Sequence, residues 1–176
     1  LYADMKRGYS TNPVLQAFVL TATRCDIGRD IIEPFVQSMR MDIGKAYTPA
    51  HYQEYIYGSA EVVGLMCLKV FCQGDAKQYD ALAPGAQALG SAFQKVNFLR
   101  DIADDQQRLG RYYFPVGTFK TFDDSTKEQI IDDIRHDFDT ALPSIEALPT
   151  VARKAVRVAY LYYSELLQQI QNTPAA

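Results

Sequence analysis

The sequence predicts an all-α protein, and three observations carry that reading. Apolar residues recur at the three-and-four spacing of a helix in one segment after another. Start signals, a cap residue followed by proline, stand at Asn12-Pro13 and Thr48-Pro49, while Gly8, Gly74 and Gly110 mark helix ends. No segment alternates with the period of a half-buried strand. Nor is there a Gly-x-Gly-x-x-Gly turn, a phosphate-binding loop, an internal repeat or a low-complexity tract.

Taken in order, Leu1 to Arg7 reads as the tail of a helix ended by Gly8. After Asn12-Pro13, Val14, Leu15, Phe18, Val19 and Ala22 give the next helix an apolar face. Asp26 opens a segment in which Ile31, Ile32, Phe35, Val36, Met39 and Ile43 keep the helical period, with a kink expected at Pro34. Asp26 and Asp30, four apart, are better read as a cap and a first-turn acid than as a metal pair. Asp42, one turn past Met39, is open between a buried functional carboxylate and a helix-end residue.

A long helix is expected from His51 to Cys72. Glycine inside a helix costs about 1 kcal/mol relative to alanine, so Gly58 and Gly64 need a reason: close helix packing, which the spacing favours, or room for a ligand beside the backbone. Glu61 in that apolar stretch needs a partner if buried. Asp75 to Ala83 reads as a short helix, and Pro84-Gly85 leads into one long helix, Leu89 to Gly110. Arg111 to Pro115 is irregular and aromatic. Asp124 or Ser125 then caps a helix with Ile130, Ile131, Ile134, Phe138 and Leu142 buried and Asp132, Asp133, Asp137 and Asp139 solvated, His136 being an exposed histidine among them. Pro143 and Pro149 bracket a break before a last helix carrying Val151, Val156, Ala159, Tyr160, Tyr163 and Leu167.

At 176 residues the chain suits a single domain with a substantial core. A net charge of −3 with interspersed signs leaves no basic stripe for nucleic acid. Three cysteines, Cys25, Cys67 and Cys72, have neither disulfide-framework nor metal-ligand spacing, which fits a reducing cytoplasm. The apolar run Val62 to Leu68 is far short of the roughly 20 residues of a spanning helix. There is no signal peptide, and a start at Leu1 without methionine reads as a fragment beginning inside an element.

The helix expected over Leu89 to Gly110 carries the chemistry. Gln94, Asn97, Asp101, Asp104, Asp105 and Arg108 fall within roughly 100° of one face, flanked by Leu89, Phe93 and Val96 on one side and Phe98 and Ile102 on the other. Surface helices have the opposite proportions. Asp101 and Asp105 project together with Cβ atoms about 6 Å apart, and two such charges repel by roughly 3 kcal/mol at an effective dielectric of 20. Arg108 offers ordinary ion pairs to Asp104 and Asp105 but leaves Asp101, Asn97 and Gln94 without a partner. Magnesium, which takes one or two carboxylates together with substrate phosphates, is the competing explanation. Chemistry alone leaves the two open.

The run Gln94-x-x-Asn97-x-x-Arg100-Asp101-x-x-x-Asp105, followed by Gly110-Arg111-x-Tyr113-x-Pro115, closely resembles the second aspartate-rich motif of the squalene and phytoene synthase family. Tyr55-Ile-Tyr-Gly-Ser-Ala-Glu-Val-Val-Gly64 is similar to the family's Tyr-Cys-x-x-Val-Ala-Gly-x-Val-Gly helix, and Met39 and Asp42 to its Gly-Met-x-x-Asp segment. Glu61 and Val62 stand where the family usually has glycine and a small residue.

This resemblance implies an isoprenoid synthase-type helical bundle around a central apolar cavity, incomplete at both termini. It implies a bacterial phytoene synthase-like prenyltransferase joining two prenyl diphosphates head to head, geranylgeranyl diphosphate giving phytoene in carotenoid biosynthesis. Asp101, Asp105 and Asn97 would ligate Mg²⁺. Gln94, Arg100 and Arg111 would hold phosphate oxygens, while Tyr113, Tyr55, Asp42, Val63 and Gly64 would line the substrate site, with Gly58 and the tyrosines of its helix along the cavity. NADPH is not expected, since a reductant would lead to squalene. Peripheral membrane association would suit the apolar product. The family's first aspartate-rich motif is absent, and Asp26 and Asp30 are wrongly placed to replace it, so the 176-residue piece alone is expected to be inactive. The alternatives are a dehydrosqualene or squalene synthase, a non-catalytic helical scaffold, and a lone metal-binding helical module.

Overall fold

The computed structural model describes residues 1–43 and 48–175, and every regular element among them is helical. The short α1 (Tyr2–Arg7) ends at Gly8, whose φ of 78° is left-handed. α2 (Pro13–Arg24) starts where Asn12-Pro13 indicated, the Asn12 side chain accepting from the N–H groups of Val14 and Leu15 at 2.9 and 3.2 Å. α3 (Arg29–Ile43) continues through Pro34. Asp26 does not cap it. That residue is left-handed, with φ of 52°, and its carboxylate turns to Lys69 at 3.4 Å.

The long helix expected from His51 is α4 (Tyr52–Ile56), one π-helical turn at Tyr57–Glu61, and α5 (Val62–Cys72) in succession. A Cβ on Gly58 would run into the carbonyl oxygen of Pro34 and come within 2.8 Å of the Ser38 Cβ on α3. One on Gly64 would run into the Ala86 carbonyl. Both glycines therefore serve close packing, as their spacing suggested. By length and composition the rod Tyr52–Cys72 is apolar enough to cross a membrane. Here it lies between α3 and α6.

α6 (Ala76–Arg100) absorbs both the short helix expected over Asp75 to Ala83 and most of the helix expected from Leu89. Asp75 caps it, accepting from the Gln78 N–H at 2.9 Å. The helix passes through Pro84, and Gly85 lets the Ser144 side chain pack against its backbone. The expected single helix up to Gly110 divides at Asp101, whose φ of −97° and ψ of 6° lie in the bridge region frequented by active-site residues. α7 (Ile102–Leu109) follows and closes at Gly110, φ 64°. Hydrogen bonds from Asp101 N–H to Asn97 O at 3.0 Å and from Asp105 N–H to Asp101 O at 2.8 Å keep the one-turn spacing across the break.

α8 (Asp124–Ala147) is capped by Asp123, one residue before the expected cap, through the Thr126 N–H at 2.8 Å. It runs on through Pro143, so the chain breaks only at Leu148-Pro149 before α9 (Thr150–Asn172). Val14 and Val151, expected on buried faces, are 76 % and 88 % exposed.

α6 is the centre of the bundle. It runs antiparallel to α5, with Gly90 against Ala60 and Gly64 against Ala86, and antiparallel to α8, with Ser91 bonded to Asp137 and Lys95 to Asp133. The acidic face of α8 is thus not wholly solvated as expected. The buried Lys95 ammonium meets Asp133 at 2.5 Å and Asp137 at 2.8 Å, and Ser91 Oγ donates to Asp137 at 2.7 Å. His136 is exposed, as expected. Lys127, also buried, donates to the carbonyls of Gln171 and Thr173, which fixes the end of α9 against the start of α8.

Candidate functional site

The polar stripe follows α6 across the break into α7. Asn97 Oδ1 accepts from the Tyr163 hydroxyl of α9 at 3.3 Å, and the Tyr163 ring stacks on Phe93 at 4.1 Å. Asp101 has a partner that spacing did not reveal: Arg100 donates to it through Nε at 2.7 Å and Nη2 at 2.6 Å. Arg108 pairs with Asp104 at 2.8 Å. Burial first, then the charges of Asp101 and Asp104, hold the Asp105 carboxyl above the usual carboxylate range, with Arg111 and Arg100 opposing the rise.

A second group of expected residues meets beside this stripe. Gly110 turns the chain so that the Arg111 N–H reaches Asp105 O at 3.3 Å, and the Arg111 guanidinium then contacts Asp42 Oδ1 at 3.0 Å and the Tyr113 hydroxyl at 3.3 Å. The Tyr55 hydroxyl donates to both Asp42 oxygens, at 3.1 and 3.0 Å. Burial and the adjacent Asp42 carboxylate push the Tyr55 phenol well above its ordinary range. Tyr113 stacks on Phe98 with ring centres 4.0 Å apart and planes 5° from parallel. Asp42 is at once a helix-end residue and a carboxylate joined to the site.

A cavity of about 320 Å³ lies between α5, α6, α8 and α9, walled by residues such as Ala60, Gly64, Phe71, Leu82, Leu89 and Gln94. Val63 also lines it. Tyr52 and Tyr55 do not: they turn into the aromatic core against Phe98, and Gly58 faces α3 instead. At the far end it is lined by the buried cluster of Leu68, Leu82 and Leu148, with Phe71 packed on it. Gln94, one turn below Asn97, stands at the other end. Glu61 finds its partner in Gln87, whose amide donates at 3.3 Å, and burial raises its carboxyl above the ordinary range.

The donors at the stripe are oxygens only: the carboxylates of Asp101 and Asp105 and the Asn97 amide. Among the described residues no three His, Cys, Asp or Glu side chains gather as a metal cluster. Oxygen donors of this kind are the type that a hard divalent cation takes when phosphate and water complete its shell.

A helical bundle whose apolar cavity leads along one helix to an aspartate pair has the architecture of the isoprenoid synthases. Within that class the chain belongs to the squalene/phytoene synthase family, whose profile residues 2–176 match. It is 32% identical over 168 residues to the 15-cis-phytoene synthase of Synechocystis, an alignment covering 80% of this chain and 50% of that protein. Against the chloroplastic phytoene synthase of Narcissus pseudonarcissus it is 30% identical over 162 residues, covering 80% of this chain and 38% of the other. The chain thus spans half or less of these relatives. The fold is similar to the crystal structure of squalene synthase HpnC from Alicyclobacillus acidocaldarius, with a TM-score of 0.81 at 20% identity, covering 97% of this chain and 70% of that one.

Sequence reasoning missed the Lys95–Asp137 link, the Arg100 clamp on Asp101 and the Tyr163 contact to Asn97. A lysine on the apolar flank of the helix, facing an Asp133/Asp137 pair four residues apart, was the available signal for the first. The Tyr163 contact joins residues 66 apart in sequence and left no local trace.

Proposed function

We propose that the whole protein is a Mg²⁺-dependent prenyltransferase condensing two prenyl diphosphates head to head, geranylgeranyl diphosphate giving phytoene. One observation carries this reading: the face of α6 that walls the apolar cavity from Leu82 to Gln94 leads on to Asn97, then to Asp101 at the helix end and Asp105 one turn later on α7. That sequence of surfaces matches an amphiphile with a long apolar tail and a diphosphate head. The names of the Synechocystis and Narcissus relatives support the same product.

Asp101, Asp105 and Asn97 would hold the cation, and Gln94, Arg100 and Arg111 would take phosphate oxygens. Bound Mg²⁺ supplies Lewis acidity that stabilises the charge gathering on the departing diphosphate. As the allylic carbon–oxygen bond breaks, its electron pair leaves with the diphosphate, and the cavity keeps water from the cation left behind. Phe93, on the cavity wall one turn before Asn97, supplies an aromatic ring of the kind that attracts a cation. Tyr113 and Tyr55 act through Arg111 and Asp42.

Length favours the C20 substrate. From Leu82 to Gln94 the cavity wall rises through 12 helical steps, about 18 Å. An extended geranylgeranyl chain advances about 1.25 Å per backbone bond, roughly 19 Å in all, and a farnesyl chain roughly 14 Å. The three free cysteines suit a reducing cytoplasmic compartment, and the apolar product suits work beside a membrane. The 176-residue chain alone, holding one aspartate pair of this kind, is expected to bind the substrate without turning it over. Incubating the whole protein with geranylgeranyl diphosphate and Mg²⁺ should yield a C40 hydrocarbon. No C40 product, and no C30 product from farnesyl diphosphate, would refute the reading.

A further inference from the structure

Asp42 sits among groups that bind anions and is itself an anion. A carboxylate at this position repels a diphosphate, so the contact-residue role implied by resemblance does not suit its charge. Its oxygens are already committed: Oδ1 to Arg111 at 3.0 Å and to the Tyr55 hydroxyl at 3.1 Å, and Oδ2 to the same hydroxyl at 3.0 Å. The Tyr55 hydroxyl reaches it from α4, and Tyr55 is 7 % exposed and packs on Phe98 and Tyr113. The Arg111 side chain is 15 % exposed and Asp42 39 % exposed, so the pair straddles the boundary between core and solvent.

Arg111 is the residue this arrangement serves. Its backbone N–H is fixed on Asp105 O, and its Nη1 lies between Asp42 and the Tyr113 hydroxyl, which is itself immobilised by the stack on Phe98. A guanidinium has five N–H donors in a planar fork. Orienting one corner of it orients the remaining corners, and an arginine held in advance loses less rotamer entropy when an anion arrives.

We infer that Asp42 is a positioning residue, held by Tyr55, that orients the Arg111 guanidinium toward a diphosphate bound at Asp101 and Asp105. The inference rests on the diphosphate reading above. It is opposed by a reading of the same contacts in which Asp42 is a competitor that the diphosphate must displace from Arg111, and the two predict opposite signs.

The test is calorimetric titration of the chain with inorganic diphosphate in the presence of MgCl₂. Positioning predicts that Asp42→Ala weakens binding about tenfold and that Asp42→Asn, which keeps an oxygen acceptor for Arg111, weakens it only about twofold. Tyr55→Phe should weaken it about threefold. The Asp42→Ala/Arg111→Ala double variant should bind no more weakly than Arg111→Ala alone. Tighter binding by Asp42→Ala overturns the inference in favour of competition. Unchanged binding, with or without a drop in melting temperature, overturns it in favour of a purely structural contact. Failure of the unaltered chain to bind diphosphate with Mg²⁺ would instead refute the diphosphate reading itself.

Discussion

Arg100 grips the carboxylate of its own neighbour, Asp101, with Nε on Oδ1 at 2.7 Å and Nη2 on Oδ2 at 2.6 Å. A cation held at Asp101, as proposed, would therefore compete with a guanidinium, which would then be released to meet the incoming phosphate. Replacing Arg100 by glutamine should separate these two roles. Affinity for Mg²⁺ alone should rise by about threefold, because Asp101 loses its competitor, while affinity for Mg²⁺-diphosphate should fall by about tenfold, or roughly 1.4 kcal/mol. Titrating the variant with metal first and diphosphate second reads both.

Phe71 packs on the cluster that lines the cavity end away from Gln94. Shortening it to alanine opens that end. Phe71→Ala should admit prenyl diphosphates longer than geranylgeranyl with at least tenfold better affinity than the unaltered chain shows, and Phe71→Trp should favour farnesyl over geranylgeranyl diphosphate. Competition binding across a series of chain lengths checks this.

Lys95 joins α6 to α8 through Asp133 and Asp137, and its side chain is 7 % exposed. Asp137→Ala removes one of two carboxylates from a buried ammonium and should cost about 2–3 kcal/mol, somewhat less than a fully orphaned charge because Asp133 remains. Lys95→Met should cost less, since Asp133 is open to solvent and Asp137, though only 17 % exposed, keeps its hydrogen bond from Ser91. Denaturant unfolding of the two variants should reproduce that order.

Glu61 gives a pH dependence with a definite sign. Its desolvation raises the folded pKa above the unfolded value, so between the two the folded state binds more protons and stability falls as pH rises. Glu61→Gln keeps an acceptor for Gln87. It should melt about 2 °C above the unaltered chain at pH 7 to 8. The difference should shrink as pH falls below the ordinary carboxylate range, where both side chains are neutral.

Most of the helices were legible because their signals are local. Asn12-Pro13 caps α2, Gly8 and Gly110 end helices with left-handed turns, and Gly58 and Gly64 mark places where backbones touch. The errors arose where tertiary contacts override local preference. Pro84 and Pro143 read as boundaries, yet α6 and α8 run through them because both helices are held along much of their length by each other. Asp26 looked like a cap but turned to Lys69, 43 residues away. The site showed the same division. The stripe of Gln94, Asn97, Asp101 and Asp105 follows from helical period alone, whereas the link from Asp42 through Arg111 to Tyr113 depends on how α3 meets the loop after Gly110.

The stripe on α6 and α7 is tested most directly by calorimetric titration of inorganic diphosphate with and without MgCl₂, on the unaltered chain and on Asp105→Asn. Binding should require Mg²⁺, and Asp105→Asn should weaken it at least tenfold, since Asp101 and Asn97 alone leave the cation a single carboxylate. Binding that is indifferent to Mg²⁺, or unchanged in Asp105→Asn, would contradict a metal–diphosphate site at the aspartate pair.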